Sequence, residues 1–248
     1  MKTETVILAA GKGTRMKSDI PKVMHEINSK PMISHIIDTV MPLSDSVNVV
    51  TGHGRSQVEK YLQKNYRNIK FSFQSKQDGT GGAVRAAIPN IASNSDIVVI
   101  CAGDTPLLKT ETFKKALEFF SESGSDLTVI STILEDPGHY GRIVRKNGSD
   151  IKEIVEFLDA NEATQKINEI NSGIYIVERK LLVEAAFKIR NNNTKHEYYL
   201  TDIVRIAVRL NKKVSVYLEE DSVSLMGVND TDQLFLAQEE FNKKISSH

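Results

Sequence analysis

A glycine-rich loop follows the first apolar run of the chain and has the residue types of an anion-binding loop. The sequence from Leu8 to Met16 reads LAAGKGTRM. Glycines permit close approach of the backbone and let its N–H groups turn toward an anion, and the planar guanidinium of Arg15 can hold phosphate oxygens in a fork. The glycine spacing is neither that of a P-loop nor that of the dinucleotide-binding fingerprint. From composition alone, the loop is either a phosphate site or an ordinary turn between a strand and a helix.

Lys22 lies shortly after this loop, in the segment DIPK. Proline suits the first position of a helix because its φ is fixed, so Pro21 could simply begin a short helix and leave Lys22 as a solvated lysine. The position of Lys22 soon after the glycine loop suggests a second use, in which Lys22 and Arg15 share the charge of a triphosphate or a sugar phosphate.

Gln74 ends a predicted strand and precedes another glycine-rich segment, QDGTGG at 77–82. A carboxamide has both a donor and an acceptor, which matches the imide edge of a pyrimidine such as uracil. The glycines would let backbone groups reach the same ring. The alternative is a flexible turn before a helix.

Asp104 follows the most apolar strand of the sequence, in the segment CAGDTPL at 101–107. A carboxylate beside a phosphate-binding loop is a natural Mg²⁺ ligand, since this ion needs only one or two protein oxygens when phosphates and waters complete its shell. An Asx-turn or a helix cap is the alternative role for Asp104. Cys101 is expected to be a small buried hydrophobic residue rather than a nucleophile.

Composition and spacing argue against several other kinds of chemistry. The chain has 248 residues with 32 basic and 32 acidic side chains, and this zero net charge argues against binding to nucleic acid or anionic membranes through bulk charge. The single cysteine excludes a disulfide framework within the chain and a cysteine-based zinc site. The histidines have no paired spacing and no G-x-S-x-G segment occurs, so neither a zinc protease site nor a serine hydrolase triad is predicted.

The elements that must position these residues alternate between strands and helices in the first half of the chain. This alternation predicts a Rossmann-like α/β fold, with a mixed, mostly parallel sheet and helices on both faces. Ligands of such sheets bind beyond the carboxyl ends of the strands, so the loops at 11–15, 74–82 and 103–104 are expected to share one rim. The predicted strands are 5–10, 47–50, 69–74 and 96–101, and the predicted helices are 32–41, 57–62, 82–88 and 110–122.

The second half has a less regular pattern, without internal repeats or a long linker. We predict one domain at 1–229 with a helical extension at 230–248. The apolar face of the last helix is expected to carry Leu234, Phe235, Ala237, Phe241 and Ile245. The predicted strands are 126–134, 142–144, 151–156, 174–177, 214–218 and 223–226, with a turn at Asn147-Gly148 between the second and third, and the predicted helices are 181–190, 198–210 and 231–245.

Taken in order, these motifs resemble those of the sugar-1-phosphate nucleotidylyltransferases. The second half adds YGRI at 140–143, IVE at 154–156, EINSGI at 169–174, EYYLTD at 197–202 and GVN at 227–229. The ordered set runs across nearly the whole chain and resembles the N-terminal uridylyltransferase half of bacterial bifunctional enzymes that are both N-acetylglucosamine-1-phosphate uridylyltransferases and glucosamine-1-phosphate acetyltransferases. The resemblance implies a fold of the nucleotide-diphospho-sugar transferase type.

The resemblance also implies a role for each matching residue. The nucleotide would be held by Leu8, Ala9, Ala10, Gly11, Gln74, Gly79, Thr80, Ala102 and Gly103. The catalytic cations that hold phosphates would be Arg15 and Lys22. The sugar would be held by Gly141, Glu156, Asn171 and Asn229, and Mg²⁺ by Asp104 and Asn229.

The reaction implied by the resemblance is transfer of UMP from UTP to N-acetylglucosamine 1-phosphate, which gives pyrophosphate and UDP-N-acetylglucosamine, a precursor of peptidoglycan and the cell wall. A phosphate monoester is already an anionic nucleophile at neutral pH. The reaction therefore needs positioning and charge neutralisation and no general base, which fits the lack of an obvious catalytic histidine or cysteine.

Three positions depart from the pattern of the family and leave alternatives open. Ala102 stands where many relatives have an aromatic residue, and Gly82 stands where they often have histidine. Leu158 stands where they usually have a lysine near the sugar phosphate. Another sugar 1-phosphate is therefore an alternative substrate. A non-catalytic nucleotide-sugar-binding subunit is an alternative of another class, disfavoured because both cations and both metal ligands are present.

The expected setting is the cytoplasm, with UTP and a sugar 1-phosphate as small-molecule partners and neither nucleic acid nor membrane. The single cysteine favours a reducing compartment, and the apolar run at 6–10 is too short to cross a membrane. No hexapeptide repeats typical of the acetyltransferase half occur, so we expect a stand-alone uridylyltransferase or a fragment of a bifunctional chain. The sequence determines neither the oligomeric state nor whether a separate acetyltransferase is a partner.

Overall fold

The strands of the protein form one large mixed sheet and one small hairpin. A computed structural model describes residues 1–146 and 148–246. Within this part of the chain the strands are β1 (Thr3–Ala9), β2 (Glu26–Ile27), β3 (Lys30–Pro31), β4 (Ser46–Thr51), β5 (Ile69–Phe73), β6 (Ile97–Ala102), β7 (Leu127–Ile133), β8 (Arg142–Lys146), β9 (Asp150–Val155), β10 (Glu169–Glu178) and β11 (Val214–Leu218).

The helices follow the strands in the alternating order that the first half of the sequence predicts. They are α1 (Met32–Val40), α2 (Arg55–Asn65), α3 (Thr80–Ala87), α4 (Thr110–Ser123), α5 (Glu162–Gln165), α6 (Arg179–Ala186), α7 (Asp202–Arg209) and α8 (Thr231–Ser246). Short 3-10 turns lie at Thr14–Met16, Lys22–Met24, Met41–Leu43, Ile88–Asn90, Phe157–Asp159 and Ser222–Leu225.

The large sheet is mostly parallel and has the order β11-β7-β10-β6-β1-β4-β5. Strands β6, β1, β4 and β5 pair in parallel, and β11 pairs in parallel with β7. Strand β10 is antiparallel to both of its neighbours, β6 and β7, so it alone reverses direction along this path. The hairpin β8–β9 joins the sheet through a bridge from β8 to β10. This architecture confirms the predicted Rossmann-like mixed sheet.

Two apolar cores, one on each face of the sheet, explain why residues 6–9 of β1 and the whole of β6 are apolar. Successive side chains of a strand point to opposite faces, so a strand covered on both faces has no polar side. Val6 of β1 packs with α3, α6 and α7, whereas Ile7 packs with α1, α2 and α4. In β6, Ile100 belongs to the same core as Val6, and Cys101 belongs to the same core as Ile7. Helices therefore cover both faces, as predicted.

Helix α8 packs against the β2–β3 hairpin through a third, smaller core. Ala237 is buried there with Ile27 and Val228. The Asn28 N–H donates to Gln238 Oε1 at 2.7 Å. These contacts attach the helix to the body of the protein, while the division of the chain at residue 229 stays a prediction.

The predicted apolar face of α8 is partly wrong. Phe235 is expected on that face, but its side chain is 64% exposed, whereas Leu234 and Phe241 do pack on the third core. The side chain of Ile245 lies outside the described residues, as do Asn147 of the predicted turn and the last two residues of the chain.

The segment 223–226, predicted as a strand, is instead part of the 3-10 turn Ser222–Leu225. The Asp221 side chain accepts a hydrogen bond from the Ser224 N–H and so caps the turn. A local cap of this kind competes with strand pairing for the same backbone group, and here it prevails.

Three predicted boundaries differ from the structure by four residues or more. Strand β10 begins at Glu169 rather than at residue 174, α6 ends at Ala186 rather than at residue 190, and α7 begins at Asp202 rather than at residue 198. The late start of α7 has a clear cause, because the backbone of Tyr198 is engaged elsewhere. Its N–H donates to Asp78 O at 2.7 Å and its carbonyl accepts the N–H of Gly81 at 2.7 Å.

Candidate active site

The glycine loop after β1 leads into the 3-10 turn Thr14–Met16 and packs against Lys22. Gly13 has φ +61°, and a Cβ at this position would lie 2.5 Å from Lys22 Cβ. Only glycine fits both the backbone conformation and the close approach. The Met16 N–H donates to Gly13 O at 2.9 Å, and the buried Met16 side chain anchors the turn. The loop thereby carries the exposed Arg15 and the half-buried Lys22 side by side.

The two predicted cations meet the two predicted metal ligands at one point. The Lys22 ammonium forms an ion pair with Asp104 and also donates to Asn229 Oδ1 at 3.2 Å. Arg15 Nη2 donates to the same Asn229 oxygen at 3.0 Å. The side chains of Lys22 and Asp104 are each 16% exposed, so water screens their attraction only in part. These four residues, predicted to act on one phosphate-bearing ligand, therefore form one cluster, the cation cluster.

The sheet and two loops hold the cation cluster in place. The Gly103 N–H donates to Leu8 O at 2.9 Å, which ties the end of β6 to the end of β1. The Val228 N–H donates to the Asp104 carbonyl at 2.8 Å, and this bond brings the segment with Asn229 to the sheet rim. The Asn229 N–H donates to Gln233 Oε1 at 2.7 Å, at the start of α8.

The oxygens of Asp104 and Asn229 suit a divalent cation. One ammonium group contacts both Asp104 Oδ2 and Asn229 Oδ1, so the two oxygens lie close together and face the same cation. Oxygen ligands in this number match a hard ion such as Mg²⁺ that takes its remaining ligands from phosphates and water. Among the described residues no group of three or more His, Cys, Asp or Glu side chains could hold a metal.

The loop after β5 is folded tightly around Gln74. Its side chain is 6% exposed, and its amide Nε2 donates to Asp78 Oδ1 and to Gly79 O, both at 3.0 Å. Gly79 has φ +107°, and a Cβ there would lie 2.5 Å from the Tyr198 carbonyl oxygen. The Thr80 hydroxyl accepts the N–H of Leu200 at 3.0 Å. The predicted nucleotide residues of this loop are thus held together by the loop itself and by the 198–200 segment.

The remaining predicted nucleotide residues lie at the carboxyl ends of β1 and β6. Ala10 O accepts the His53 N–H at 3.1 Å, and Ala102 O accepts the Thr105 hydroxyl at 3.1 Å. Apart from the two chain neighbours of Gly11, no atom of the described residues lies within 4 Å of the position of a Cβ on it, so the backbone there is open to a ligand. Because β1, β4, β5 and β6 run in parallel, the three predicted loops do share one rim, as expected.

The predicted sugar-binding residues Gly141, Glu156 and Asn171 form a second cluster, the sugar-side cluster. The Asn171 N–H donates to Gly141 O at 2.9 Å, and a Cβ on Gly141 would lie 3.6 Å from Glu156 Oε2. Glu156 Oε1 accepts the Thr201 hydroxyl at 3.1 Å. The Asn171 amide donates to the Tyr175 hydroxyl at 2.8 Å. A cleft of about 470 Å³ borders this cluster and is lined in part by Glu156, Tyr199 and Thr201.

Burial controls the ionisation of the groups around these clusters. It raises the pKa of the Glu156 carboxyl above its ordinary value, although the Thr201 hydrogen bond and nearby Lys195 act in the opposite direction. Burial also raises the pKa of the Tyr175 phenol. Cys101 is fully buried, as predicted, and burial raises the pKa of its thiol to about 12, so no thiolate is available for nucleophilic chemistry at neutral pH.

Two of the positions that depart from the family pattern have clear surroundings. Leu158 lies in the 3-10 turn after Glu156 with 52% of its surface exposed, so it offers neither charge nor a packed core to the cleft. A Cβ on Gly82 would lie 1.9 Å from Asp78 Oδ1, so any larger residue there would displace Asp78 from its bond with Gln74.

Sequence reasoning assigns no role to Tyr140 or Thr201, yet both contact the predicted site. The Tyr140 hydroxyl accepts the N–H of Gly227 at 3.1 Å, two residues before Asn229. Thr201 bonds to Glu156. Both lie inside motifs that carry the resemblance, but a motif does not tell which of its side chains face the site.

Comparisons with known proteins identify the family and the fold. Residues 5–165 match the family described as the MobA-like NTP transferase domain. The chain belongs to this family. The mixed sheet of this NTP transferase domain is also similar to a crystal structure of UDP-glucose pyrophosphorylase complexed with UDP-glucose, with a TM-score of 0.79 at 20% sequence identity, covering 98% of this chain and 100% of that one.

Similar sequences extend over the whole chain. The Bifunctional protein GlmU of Listeria welshimeri is 37% identical over 248 residues, which is 100% of this chain and 54% of the relative. The protein of the same name in Clostridium acetobutylicum is 40% identical over 245 residues, which is 97% of this chain and 52% of the relative. This NTP transferase domain therefore spans about half the length of the curated relatives it matches. The resemblance inferred from the motifs is confirmed.

In the part of this NTP transferase chain that the structure describes, no helix has both the length and the apolar character needed to cross a bilayer.

Proposed function

We propose that the chain transfers UMP from UTP to N-acetylglucosamine 1-phosphate, releasing pyrophosphate and forming UDP-N-acetylglucosamine. The observation that carries this proposal is the convergence of Lys22 and Arg15 on the oxygens of Asp104 and Asn229 at the rim of a parallel sheet. Motif resemblance to bacterial bifunctional uridylyltransferases, and relatives named Bifunctional protein GlmU, support the choice of nucleotide and sugar.

The mechanism is a direct displacement. A phosphate oxygen of the sugar 1-phosphate attacks the α-phosphorus of UTP, the bond from that phosphorus to the bridging oxygen breaks, and pyrophosphate leaves with the electron pair. Lys22 and Arg15 neutralise charge on the phosphates as it redistributes, and the open backbone at Gly11 approaches the nucleotide. A divalent ion held by Asp104 and Asn229 would add further neutralisation of phosphate charge, and Mg²⁺ is the ion we propose.

The sugar would lie at the sugar-side cluster. Glu156 offers a carboxylate oxygen, and Gly141 lets a ligand approach its backbone closely. With its sugar ring at the sugar-side cluster, a sugar 1-phosphate would extend toward the cation cluster. Its phosphate must point in this direction to meet UTP. The proposed setting is the cytoplasm, and the proposed partners are these two small molecules.

The test is pyrophosphate release from purified protein with Mg²⁺ across a panel of nucleoside triphosphates and sugar 1-phosphates. We expect the highest kcat/KM with UTP and N-acetylglucosamine 1-phosphate. Faster turnover with glucose 1-phosphate would replace the proposed sugar by the alternative substrate, an outcome made relevant by the uncharged Leu158. No turnover with any pair, together with binding of UDP-sugars, would support the non-catalytic alternative.

A further inference from the structure

The side chain of Tyr140 lies at the boundary between the cation cluster and the sugar-side cluster. Its hydroxyl oxygen accepts the N–H of Gly227 at 3.1 Å. A Cβ on Gly227 would lie 3.8 Å from Asp104 Oδ1 and 3.7 Å from Asn229 Nδ2, so this hydroxyl is a close neighbour of the metal-ligand pair. The residue after Tyr140 in the chain is Gly141, which belongs to the sugar-side cluster.

The segment that carries Tyr140 is rigidly held without any ligand. The Arg142 guanidinium is 2% exposed and donates to Gly138 O at 2.8 Å and to Gln165 O at 3.2 Å. It also donates to the carbonyl of Tyr140 itself. A buried guanidinium bonded to several carbonyls fixes the loop conformation, so the Tyr140 side chain is positioned before substrate arrives.

The hydroxyl of Tyr140 keeps a proton that it can donate. A phenol has one donor and can also accept, and Gly227 uses the accepting side. In the hydrogen bonds of residues 1–146 and 148–246, no group accepts the Tyr140 proton. Burial raises the pKa of this phenol, with a further increase from Asp104 and an opposing effect of Arg15, so the hydroxyl stays protonated at neutral pH.

We propose that the Tyr140 hydroxyl donates a hydrogen bond to the phosphate of the bound sugar 1-phosphate and aligns it for attack on the nucleotide. This inference rests on the proposed function. With the sugar beside Gly141 and the phosphate directed toward Lys22, the phosphate passes the boundary where the hydroxyl lies. An oriented neutral donor adds direction to the charge supplied by the cations, because a hydrogen bond constrains the phosphate oxygen more than a point charge does.

The first experiment compares Tyr140→Phe with the unchanged protein, since phenylalanine keeps the ring and removes only the hydroxyl. We expect kcat/KM for the sugar 1-phosphate to fall about 10- to 100-fold, the range for loss of one hydrogen bond to a charged group. The dissociation constants for UTP and for Mn²⁺, measured by calorimetry and electron paramagnetic resonance, should change by less than about threefold. Binding of N-acetylglucosamine without its phosphate should be unchanged.

Tyr66→Phe is the matched control. Its hydroxyl donates to Asp38 at 2.9 Å, away from both clusters, so its loss reports the general effect of removing a tyrosine hydroxyl from this protein. The proposal is overturned if Tyr140→Phe leaves kcat/KM for the sugar 1-phosphate unchanged. It is also overturned if the affinities for UTP and Mn²⁺ fall as much as kcat/KM, because the hydroxyl would then only hold the segment around Gly227.

A second substitution keeps the test valid if Tyr140→Phe fails to fold. A 3,5-difluorotyrosine at position 140 keeps the shape and ionises at a lower pH than tyrosine does in the same place, near Asp104 and Arg15. Its phenolate still accepts the Gly227 N–H but cannot donate. A donor role predicts that kcat/KM for the sugar 1-phosphate falls as this phenol ionises, whereas a structural role predicts no such fall. If the unchanged protein is active but this fall is absent, the inference fails alone; if the unchanged protein binds no sugar 1-phosphate, the proposed function fails with it.

Discussion

Replacement of Lys22 by methionine separates the proposed catalytic role of this residue from its structural role. Methionine keeps most of the apolar stem, which packs against Gly13, and removes the ammonium that contacts Asp104 and Asn229. An exposed ion pair contributes about 0–1 kcal/mol and the breaking of a buried one costs about 3–5 kcal/mol. With both side chains 16% exposed, this pair lies between these limits, so we expect a loss of about 2 kcal/mol.

For a protein of this size, a loss of that magnitude lowers Tm by about 4–8 °C, and the variant stays folded at 25 °C. The effect on turnover should be larger, because a preorganised group that stabilises transition-state charge contributes about 10²–10³-fold to kcat. In addition, the ammonium occupies the two oxygens that a metal would take, so Lys22→Met should bind Mn²⁺ more tightly than the unchanged protein when no nucleotide is present.

Three measurements test these expectations for Lys22→Met: thermal unfolding, pyrophosphate release and Mn²⁺ titration. Lys30→Met is the matched control, because Lys30 pairs with Asp38 at 37% and 48% exposure away from the site and its loss should change none of the three appreciably. A Lys22→Met protein that is unfolded at 25 °C, or that keeps full kcat, would show that the reasoning about this lysine is wrong. Weaker Mn²⁺ binding would contradict the competition between ammonium and metal.

Three further substitutions test other parts of the site. Asp104→Ala should remove most metal-dependent pyrophosphate release while circular dichroism stays unchanged, and near-normal activity with Mg²⁺ would rule out its assignment as a metal ligand. Glu156→Gln should lower kcat/KM for the sugar 1-phosphate. Because burial raises the pKa of Glu156, the folded protein loses stability as pH rises from the ordinary glutamate range up to that higher pKa. In urea unfolding between about pH 4 and pH 8, the glutamine variant should therefore gain stability relative to the unchanged protein as pH rises. A difference in the free energy of unfolding that stays constant with pH would contradict this. Gly79→Ala should lower the free energy of unfolding in urea by at least about 2 kcal/mol, because Gly79 has φ +107° and a Cβ there would contact Tyr198 O. The control Gly124→Ala should lower it by about 1 kcal/mol, because Gly124 has a positive φ but lies in open space. Equal losses would show that the contact with Tyr198 is unimportant.

The elements that can be predicted from the sequence are those in which burial on regular faces determines which positions are apolar. Residues 6–9 of β1 and the whole of β6 are apolar because helices cover both sides, and α1 and α4 show one apolar stripe each. The loops that follow β1, β5 and β6 are predictable as one rim because parallel strands end on the same side.

The elements that are not predictable depend on contacts between distant residues. Strand β10 has two buried polar residues near its start, Asn171 and Ser172, whose side chains bond to the Tyr175 hydroxyl and the Ile130 carbonyl. Helix α7 starts late because Tyr198 pairs with the loop after β5. Neither set of partners is visible in local periodicity, so the local pattern predicts the wrong boundaries.

The site residues also fall into two groups, those that the sequence indicates directly and those that depend on distant contacts. The types and positions of Arg15, Lys22 and Asp104 by themselves indicate phosphate and metal chemistry. Their convergence with Asn229 is implied only by the resemblance, and the part played by Tyr140 is not indicated at all, because it depends on how one loop is held by Arg142.

The hydrogen bond between Arg15 and Asn229 joins residues that are 214 positions apart. During ribosomal synthesis, the first strand and its glycine loop leave the exit tunnel long before the segment with Asn229 exists. Pairing over so long a span is entropically costly and forms late relative to local structure. A nascent chain can thus acquire much of its sheet while the proposed catalytic centre is still incomplete, and the appearance of turnover would report that the segment with Asn229 has docked.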